Sequence, residues 1–256
     1  HSGDVLMSLG RFGRAGAAFD DAVRLSHRSG ALGSERTRYL ARRAILLLRR
    51  GELSAAEADF ETAHALLDEE ASDEVERGFW RARVDDGRAL LLLARGRHEE
   101  AIALMAATVD GYRAYGATHG LDAAYRIDRT ILRLGVAYAA RGLGVAWLAP
   151  YPDVRDGAAR RGDVRRARVL LDRVAARIPT GHEEGRPPDA LVRRALLTAS
   201  LLEAPDAAVA RTDRAARLAH FPYLRAEVAA HRAAALLRAE RTAEAQETLD
   251  VAWSDL

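Results

Sequence analysis

Residues suited to helix packing recur along the chain in a pattern of four positions. A glycine is followed five residues later by an alanine, then four residues later by a large, mostly apolar residue, and three residues further by a small one. The last three positions therefore lie on one face of an α-helix. Two weaker copies have glutamate in place of glycine. The six copies are Gly10, Ala15, Phe19, Ala22; Gly51, Ala56, Phe60, Ala63; Gly96, Ala101, Met105, Thr108; Gly162, Ala167, Leu171, Val174; Glu203, Ala208, Thr212, Ala215; and Glu240, Ala245, Leu249, Ala252.

A second apolar stripe precedes several of these copies. Leu40, Ala44, Leu47 and Leu48 precede Gly51; Ala89, Leu92 and Leu93 precede Gly96; and Ala233, Leu236 and Leu237 precede Glu240. A glycine between two stripes is expected to end the first helix, because the left-handed conformation costs glycine least. Small residues on both helices allow their backbones to approach closely. The sequence therefore predicts an all-α fold of antiparallel helix pairs, with about six repeats.

Two segments resemble tetratricopeptide repeats. They read "LARRAILLLRRGELSAAEADFETAHALL" and "GRALLLLARGRHEEAIALMAATVDGY", and the resemblance is strongest over residues 37 to 110. It implies a right-handed superhelical solenoid. The steps from one copy to the next are 41, 45, 66, 41 and 37 residues, longer than the 34 of the standard repeat. Longer repeats of this kind resemble the solenoids attached to bacterial signal-responsive transcriptional regulators and to actinobacterial caspase-like proteases.

The simplest organisation is one tetratricopeptide-like solenoid over residues 1 to 256. The step of 66 residues indicates an inserted segment at 143–161, which contains Trp147 and the corner Pro150-Tyr151-Pro152. A polar loop rich in proline and glycine makes 179–189 a candidate seam. Because the sequence begins at His1 without a methionine or a signal-like segment, we expect it to be a fragment of a longer protein.

Composition excludes several classes of function. Hydrophobic residues make up 49% of the chain and charged residues 30%, which suits a soluble protein with a buried core. The net charge of +2 argues against direct nucleic-acid binding. The chain has no cysteine, which excludes thiol chemistry and predicts a cytoplasmic location. No apolar run approaches the length of a membrane span, so no membrane partner is expected.

No residue pattern indicates an active site. The eight histidines lack metal-binding spacing, since His98 and His182 have no second ligand one helical turn away. Gly142-Leu143-Gly144 follows a predicted helix and lacks the remainder of a phosphate loop, so a helix end is the better interpretation. We therefore predict no catalytic, cofactor-binding or metal-binding residue, and a protein that is not an enzyme.

The concave face of the predicted solenoid is the main candidate for function, because the first helix of each pair lines it. Arginines separated by aliphatic residues occupy this face. The predicted partner groove comprises Arg38, Arg42, Ile45, Arg49, Arg83, Asp86, Leu90, Arg129, Arg133, Arg193, Arg194 and His231. Guanidinium groups bind carboxylates in bidentate geometry, so the expected partner is a protein or an acidic or C-terminal peptide.

Two observations leave other interpretations open. Arginine supplies every positive charge apart from histidine, and lysine is absent; this is typical of a GC-rich coding bias and weakens any argument from arginine alone. Some groove arginines are also expected to pair with Asp or Glu on the next helix. The alternative functions are a homo-oligomerisation or structural module, or a small-molecule receptor or enzyme with a pocket at Trp147 and Tyr151. Trp80 and Trp253 are expected to cap the stack or fill gaps between repeats.

Overall fold

The computed structural model describes residues 2–8, 11–28, 33–70, 74–119, 123–144, 161–176, 189–219 and 222–254. Over these ranges the chain forms α-helices and no β-strand, which confirms the predicted all-α class. The chain divides into two compact units, His1–Thr130 and Ile131–Leu256. None of the described helices combines the length and apolar character needed to cross a bilayer.

In the first unit, consecutive helices pack against each other in chain order. The helices are α1 (Ser2–Ser8), α2 (Phe12–Arg28), α3 (Gly33–Arg49), α4 (Leu53–Glu70), α5 (Glu74–Ala94) and α6 (His98–His119), followed by α7 (Ala124–Leu143), which crosses the unit boundary. Helix α3 also packs against α5. First helices of successive pairs are thus neighbours, as a solenoid requires.

The second unit repeats this arrangement. Its helices after α7 are α8 (Arg161–Ala175), α9 (Asp189–Ser200), α10 (Pro205–Ala216), α11 (Pro222–Arg238) and α12 (Thr242–Ser254). From α8 to α12 each helix packs on the next, and α9 also contacts α11. Both units therefore have the local packing of an α-solenoid made of helix pairs.

The repeat pattern marks the buried face of the second helices. Its alanine is buried in all six copies, and its large residue is buried in five: Phe19, Phe60, Met105, Leu171 and Thr212. The small residues also permit close helix packing. A Cβ at Gly87 of α5 would lie only 2.6 Å from the Phe60 ring of α4. The alternation of small and large residues thus fixes the distance between neighbouring helices.

Three turns that end a first helix share one set of backbone hydrogen bonds. Gly51, Gly96 and Glu240 have positive φ angles of 79°, 73° and 59°. The amide of the residue after each one donates to a carbonyl five positions earlier: Glu52 to Leu47, Arg97 to Leu92 and Arg241 to Leu236, each at 2.9 Å. This is a Schellman ending, which favours glycine at the left-handed position. Glu240 keeps that geometry without glycine.

The prediction for Gly162 is wrong. Gly162 lies in the first turn of α8 and does not end the preceding helix. Gly144, with a φ of 69°, follows the end of α7 instead. Gly144 thus confirms the helix end predicted at Gly142-Leu143-Gly144, and Gly162 departs from the pattern because residues 145–160 separate it from α7.

Two organisational predictions fall mainly on residues outside the described ranges. Residues 145–160 of the insertion at 143–161 and residues 179–188 of the candidate seam are among them. A single solenoid over the whole chain, and its continuation within a longer protein, stay predictions.

Candidate functional site

The predicted groove residues on α3 have different environments. Arg42 forms an ion pair with Asp4 of α1. Ile45 packs against the apolar cluster that contains Phe60. Arg38 is half-buried, and Arg49 is exposed. Helix α3 therefore presents arginine to solvent over an aliphatic base, and one of its guanidinium groups is held by the preceding first helix.

On α5 and α7, two predicted groove residues form an internal ion pair. Asp86 is only 1% exposed and accepts a hydrogen bond of 2.8 Å from Arg129. The Thr130 hydroxyl also lies 3.3 Å from the same carboxylate and shares its proton with the Arg126 carbonyl at 3.0 Å. Burying a carboxylate is costly unless it is paired in this way. Asp86 and Arg129 therefore join two neighbouring first helices, while Leu90 packs on the core cluster of α3 and α4.

The predicted groove residues of the second unit are also partly used within the fold. Arg193 is buried, and its Nε lies 3.7 Å from the Glu227 carboxylate of α11. Burial lowers the pKa of His231 on α11, against an opposing effect of Glu227. Arg133 is half-buried, and Arg194 is exposed. The predicted pocket residues Trp147 and Tyr151 lie outside the described residues.

Arg83 lies at the centre of a cluster that sequence reasoning found only in part. Its guanidinium carbon is 4.8 Å from the centre of the Trp80 ring and 6.0 Å from that of Phe79. Arg126 of α7 lies 5.0 Å from the Phe79 ring. Cations at these distances from an aromatic face are attracted by the ring quadrupole. We call Phe79, Trp80, Arg83, Tyr112, Arg126 and Arg129 the Arg83 cluster.

Within the Arg83 cluster, Arg83 itself is a desolvated cation. Burial lowers the pKa of Arg83 to about 9, and the guanidinium groups of Arg126, Arg42 and Arg129 contribute to this. Arg83 remains a cation at neutral pH. Among the residues that the structure describes, it forms no ion pair or hydrogen bond, whereas the Asp86 carboxylate is taken by Arg129 and Thr130. A desolvated cation beside other cations is unfavourable, and such arrangements concentrate at functional sites.

Tyr112 of α6 contributes a buried hydroxyl to the same cluster. The residue is 0% exposed, and its ring meets Phe79 edge to face at 6.0 Å between centroids. Its hydroxyl has no hydrogen-bond partner in the described part of the chain. Burial raises its pKa, and the nearby Asp86 carboxylate adds to that effect. Buried polar groups are nearly always hydrogen-bonded, so an orphaned hydroxyl calls for an explanation.

Other arginines in the second unit have clear structural partners. Arg141 forms two hydrogen bonds of 2.8 Å with Asp163. Arg211 pairs with Glu203 and Asp172, and these hydrogen bonds raise its pKa. Arg238 donates to the carbonyl of Ser200 at the end of α9. In these places the guanidinium groups hold helices together, which distinguishes them from Arg83.

Sequence reasoning placed Arg83, Asp86 and Arg129 on the groove face but missed their neighbours. Trp80 is predicted to cap the stack or fill a gap, and the predicted groove does not include Phe79, Tyr112 or Arg126. The pattern of aromatic residues at the start of α5 and the end of α6 offered a signal, since these ends meet in an antiparallel hairpin. Trp253 is 81% exposed, so the prediction that it caps or fills the stack is wrong. Within the described ranges, no three His, Asp or Glu side chains form a metal-binding group.

The comparisons with known proteins bear on the fold alone. No protein-family model matches the chain, and no curated protein matches it. Among solved structures it is similar to BtubC (BKLC) from P. vanneervenii, with 15% sequence identity and a TM-score of 0.59. The match covers 95% of this chain and 90% of BtubC. This likeness supports a helical-repeat fold over nearly the whole sequence.

Proposed function

We propose that this chain is a non-enzymatic, cytoplasmic module that binds an acidic segment of a protein or peptide on the first-helix face of its first unit. The observation that supports the proposal is the desolvated guanidinium group of Arg83, which forms no ion pair with the carboxylates that the structure describes. Guanidinium forks bind carboxylates with charge-assisted hydrogen bonds, and the aromatic rings beside them offer an apolar wall.

The repeat pattern supports a placement among tetratricopeptide-like repeats, of the type found in actinobacterial regulators. In that context the chain is the sensor or scaffold part of a larger bacterial regulatory protein. Solenoids of helix pairs provide extended binding surfaces because each added repeat lengthens the same face. The steps of 37 to 45 residues between most copies accord with this long-repeat type.

Peptide binding tests the proposal. The probe is a fluorescein-labelled octapeptide of alternating leucine and glutamate, compared with the same peptide carrying glutamine for glutamate. We expect the acidic peptide to bind, the neutral one to bind at least tenfold more weakly, and affinity to fall with added NaCl because the charges are partly exposed. Equal binding of both peptides, or binding of neither, would reject the proposal.

A matched pair of charge reversals locates the binding face. The groove double variant combines Arg38→Glu with Arg49→Glu and reverses two charges on the face formed by first helices. The control double variant combines Arg24→Glu with Arg113→Glu and makes the same charge change on α2 and α6. Among the residues that the structure describes, Arg24 and Arg113 pair with Asp21 and Asp110 of their own helices. The groove double variant is expected to lose at least tenfold in affinity, and the control less than twofold. The reverse ranking would place the ligand elsewhere.

Self-association through the last helix is a second candidate function. On α12, Leu249 occupies the large position of the repeat but is 41% exposed, and Val251 is 60% exposed. Trp253 lies one helical turn after Leu249 on the same face and is 81% exposed, whereas the other five copies bury the position of Leu249. Light scattering of the wild type and of Leu249→Glu with Trp253→Glu tests this candidate. A wild-type dimer that the variant abolishes supports it, and a wild-type monomer removes it.

A further inference from the structure

Arg83 and the Tyr112 hydroxyl lack acceptors in the same small region. Arg83 has no anionic partner among the described residues, and the Tyr112 hydroxyl is buried without a hydrogen bond. Both side chains interact electrostatically with each other and with Arg126 and Arg129. One acceptor placed between them would therefore satisfy two unsatisfied donors at once.

The charges already present in this region do not supply that acceptor. The Asp86 carboxylate accepts hydrogen bonds from Arg129 and Thr130, and Asp4 pairs with Arg42 on the neighbouring first helix. Both of these carboxylates are thus paired with other cations. The guanidinium groups of Arg126, Arg42 and Arg129 all lower the pKa of Arg83, so these neighbours repel its charge and do not offset it.

The aromatic residues of the cluster indicate that the ligand has an apolar group next to its anionic group. Trp80 and Phe79 flank Arg83, and Phe79 also stacks against Tyr115 with 4.4 Å between ring centroids. These rings hold the guanidinium groups in place, and their apolar edges favour carbon next to the anionic group. A free inorganic anion would use the cations and leave this apolar wall unused.

We propose that the Arg83 cluster is an oxyanion-binding subsite that takes one carboxylate or phosphate group borne by a peptide next to an apolar side chain. Arg83 donates its fork to the oxygens, the Tyr112 hydroxyl donates to one of them, and Trp80 contacts the apolar part. Arg129 is a positioning residue, since Asp86 fixes its guanidinium group. The inference rests on the proposed function and narrows it to one subsite.

The binding of four peptides, with either a free or an amidated C-terminus, identifies which anionic group the subsite takes. All are labelled octapeptides of leucine and glutamine, and they differ only in the anionic group. One has a free C-terminal carboxylate, one is amidated with a single glutamate, one is amidated with a single phosphoserine, and one is amidated without any anion. If the free-ended peptide binds, the subsite recognises a C-terminal carboxylate. If the glutamate or phosphoserine peptide binds, the subsite recognises an anionic side chain. If all four bind equally, the oxyanion proposal is wrong.

Three variants test whether the subsite is the Arg83 cluster. Arg83→Gln is expected to weaken the binding of every single-anion peptide that the wild type binds by about tenfold or more, since one charge-assisted hydrogen bond is lost. Tyr112→Phe is expected to weaken it severalfold while circular dichroism stays helical. Arg113→Gln, which removes one exposed charge from the same unit, is expected to change affinity less than twofold.

The outcomes separate this inference from the proposed function. If the wild type binds acidic peptides and Arg83→Gln binds them equally well, the subsite is wrong and peptide binding stands. If the wild type binds no acidic peptide, both are wrong. A loss of affinity in Arg83→Gln and Tyr112→Phe, but not in Arg113→Gln, supports the subsite.

Discussion

The guanidinium carbon of Arg83 lies 4.8 Å from the centre of the Trp80 ring, three residues earlier on the same helix. This spacing places both side chains on one face of α5. The ring positions a cation that no described carboxylate neutralises. The stability of the cluster and its affinity for a ligand are therefore expected to respond differently to mutation.

Tyr112→Phe is expected to leave the free energy of unfolding unchanged or to raise it by up to about 1 kcal/mol, because a buried hydroxyl without a partner is removed. Thr37→Val is the control. The Thr37 hydroxyl is also buried but donates to the Ala63 carbonyl, so its loss is expected to cost about 1 kcal/mol. Urea unfolding measures both. A clear destabilisation by Tyr112→Phe would show that its hydroxyl is bonded within the protein.

Gly87→Ala is expected to lower the free energy of unfolding by about 1 kcal/mol, because overpacking against Phe60 exceeds the gain in helix propensity. Gly78→Ala lies on the same helix, and a Cβ there meets nothing within 4 Å. It is expected to stabilise the protein by about 0.5–1 kcal/mol. Thermal unfolding of the two variants compares them directly, and two stabilising substitutions would contradict the close packing of α4 and α5.

Glu240→Gly is expected to raise the free energy of unfolding by about 1 kcal/mol, since glycine removes the cost of a left-handed conformation. Glu203 occupies the same place in its copy of the pattern, but it does not have a positive φ and pairs with Arg211. Glu203→Gly is therefore expected to destabilise. If both variants change the melting temperature in the same direction, the two turns do not differ in backbone conformation as the structure shows.

Acidic pH is expected to destabilise the second unit through His231. Burial lowers its pKa below the usual 6.5, so the unfolded chain binds a proton more readily than the folded one. The contribution of neutral His231 is fully present above pH 6.5 and decreases as the pH falls below that value toward the folded pKa. Urea midpoints between pH 7.5 and 5 are expected to fall more steeply in the wild type than in His231→Gln. Parallel profiles would exclude this effect.

Sequence periodicity predicted the fold because helix packing depends on local spacing. Ala56, Phe60 and Ala63 form a stripe that must be buried wherever a helix forms, and the structure buries all three. The backbone at each turn was less predictable. Glutamate occupies the same pattern position at Glu203 and Glu240, yet of these two only Glu240 has the left-handed conformation. The path of the chain to the next helix determines the backbone conformation at each turn.

The candidate site was predictable only in part. The predicted groove face includes Arg83, since its position on α5 follows from the helical period. Whether an arginine is paired depends on a neighbouring helix some forty residues away, as Asp86 and Arg129 show. Tyr112 lies on a second helix, and the predicted groove comprises residues of first helices. Long-range contacts of this kind carry no short-range signal in a single sequence.

The most direct test of the account is a double-mutant cycle between Arg83 and the anionic group of the peptide. Affinities are measured for wild type and Arg83→Gln, each with the acidic peptide and with its neutral counterpart. Because the two groups are predicted to contact each other, removing both is expected to cost little more than removing either one. Losses that simply add would show that Arg83 and the anion act at separate places and would contradict the account.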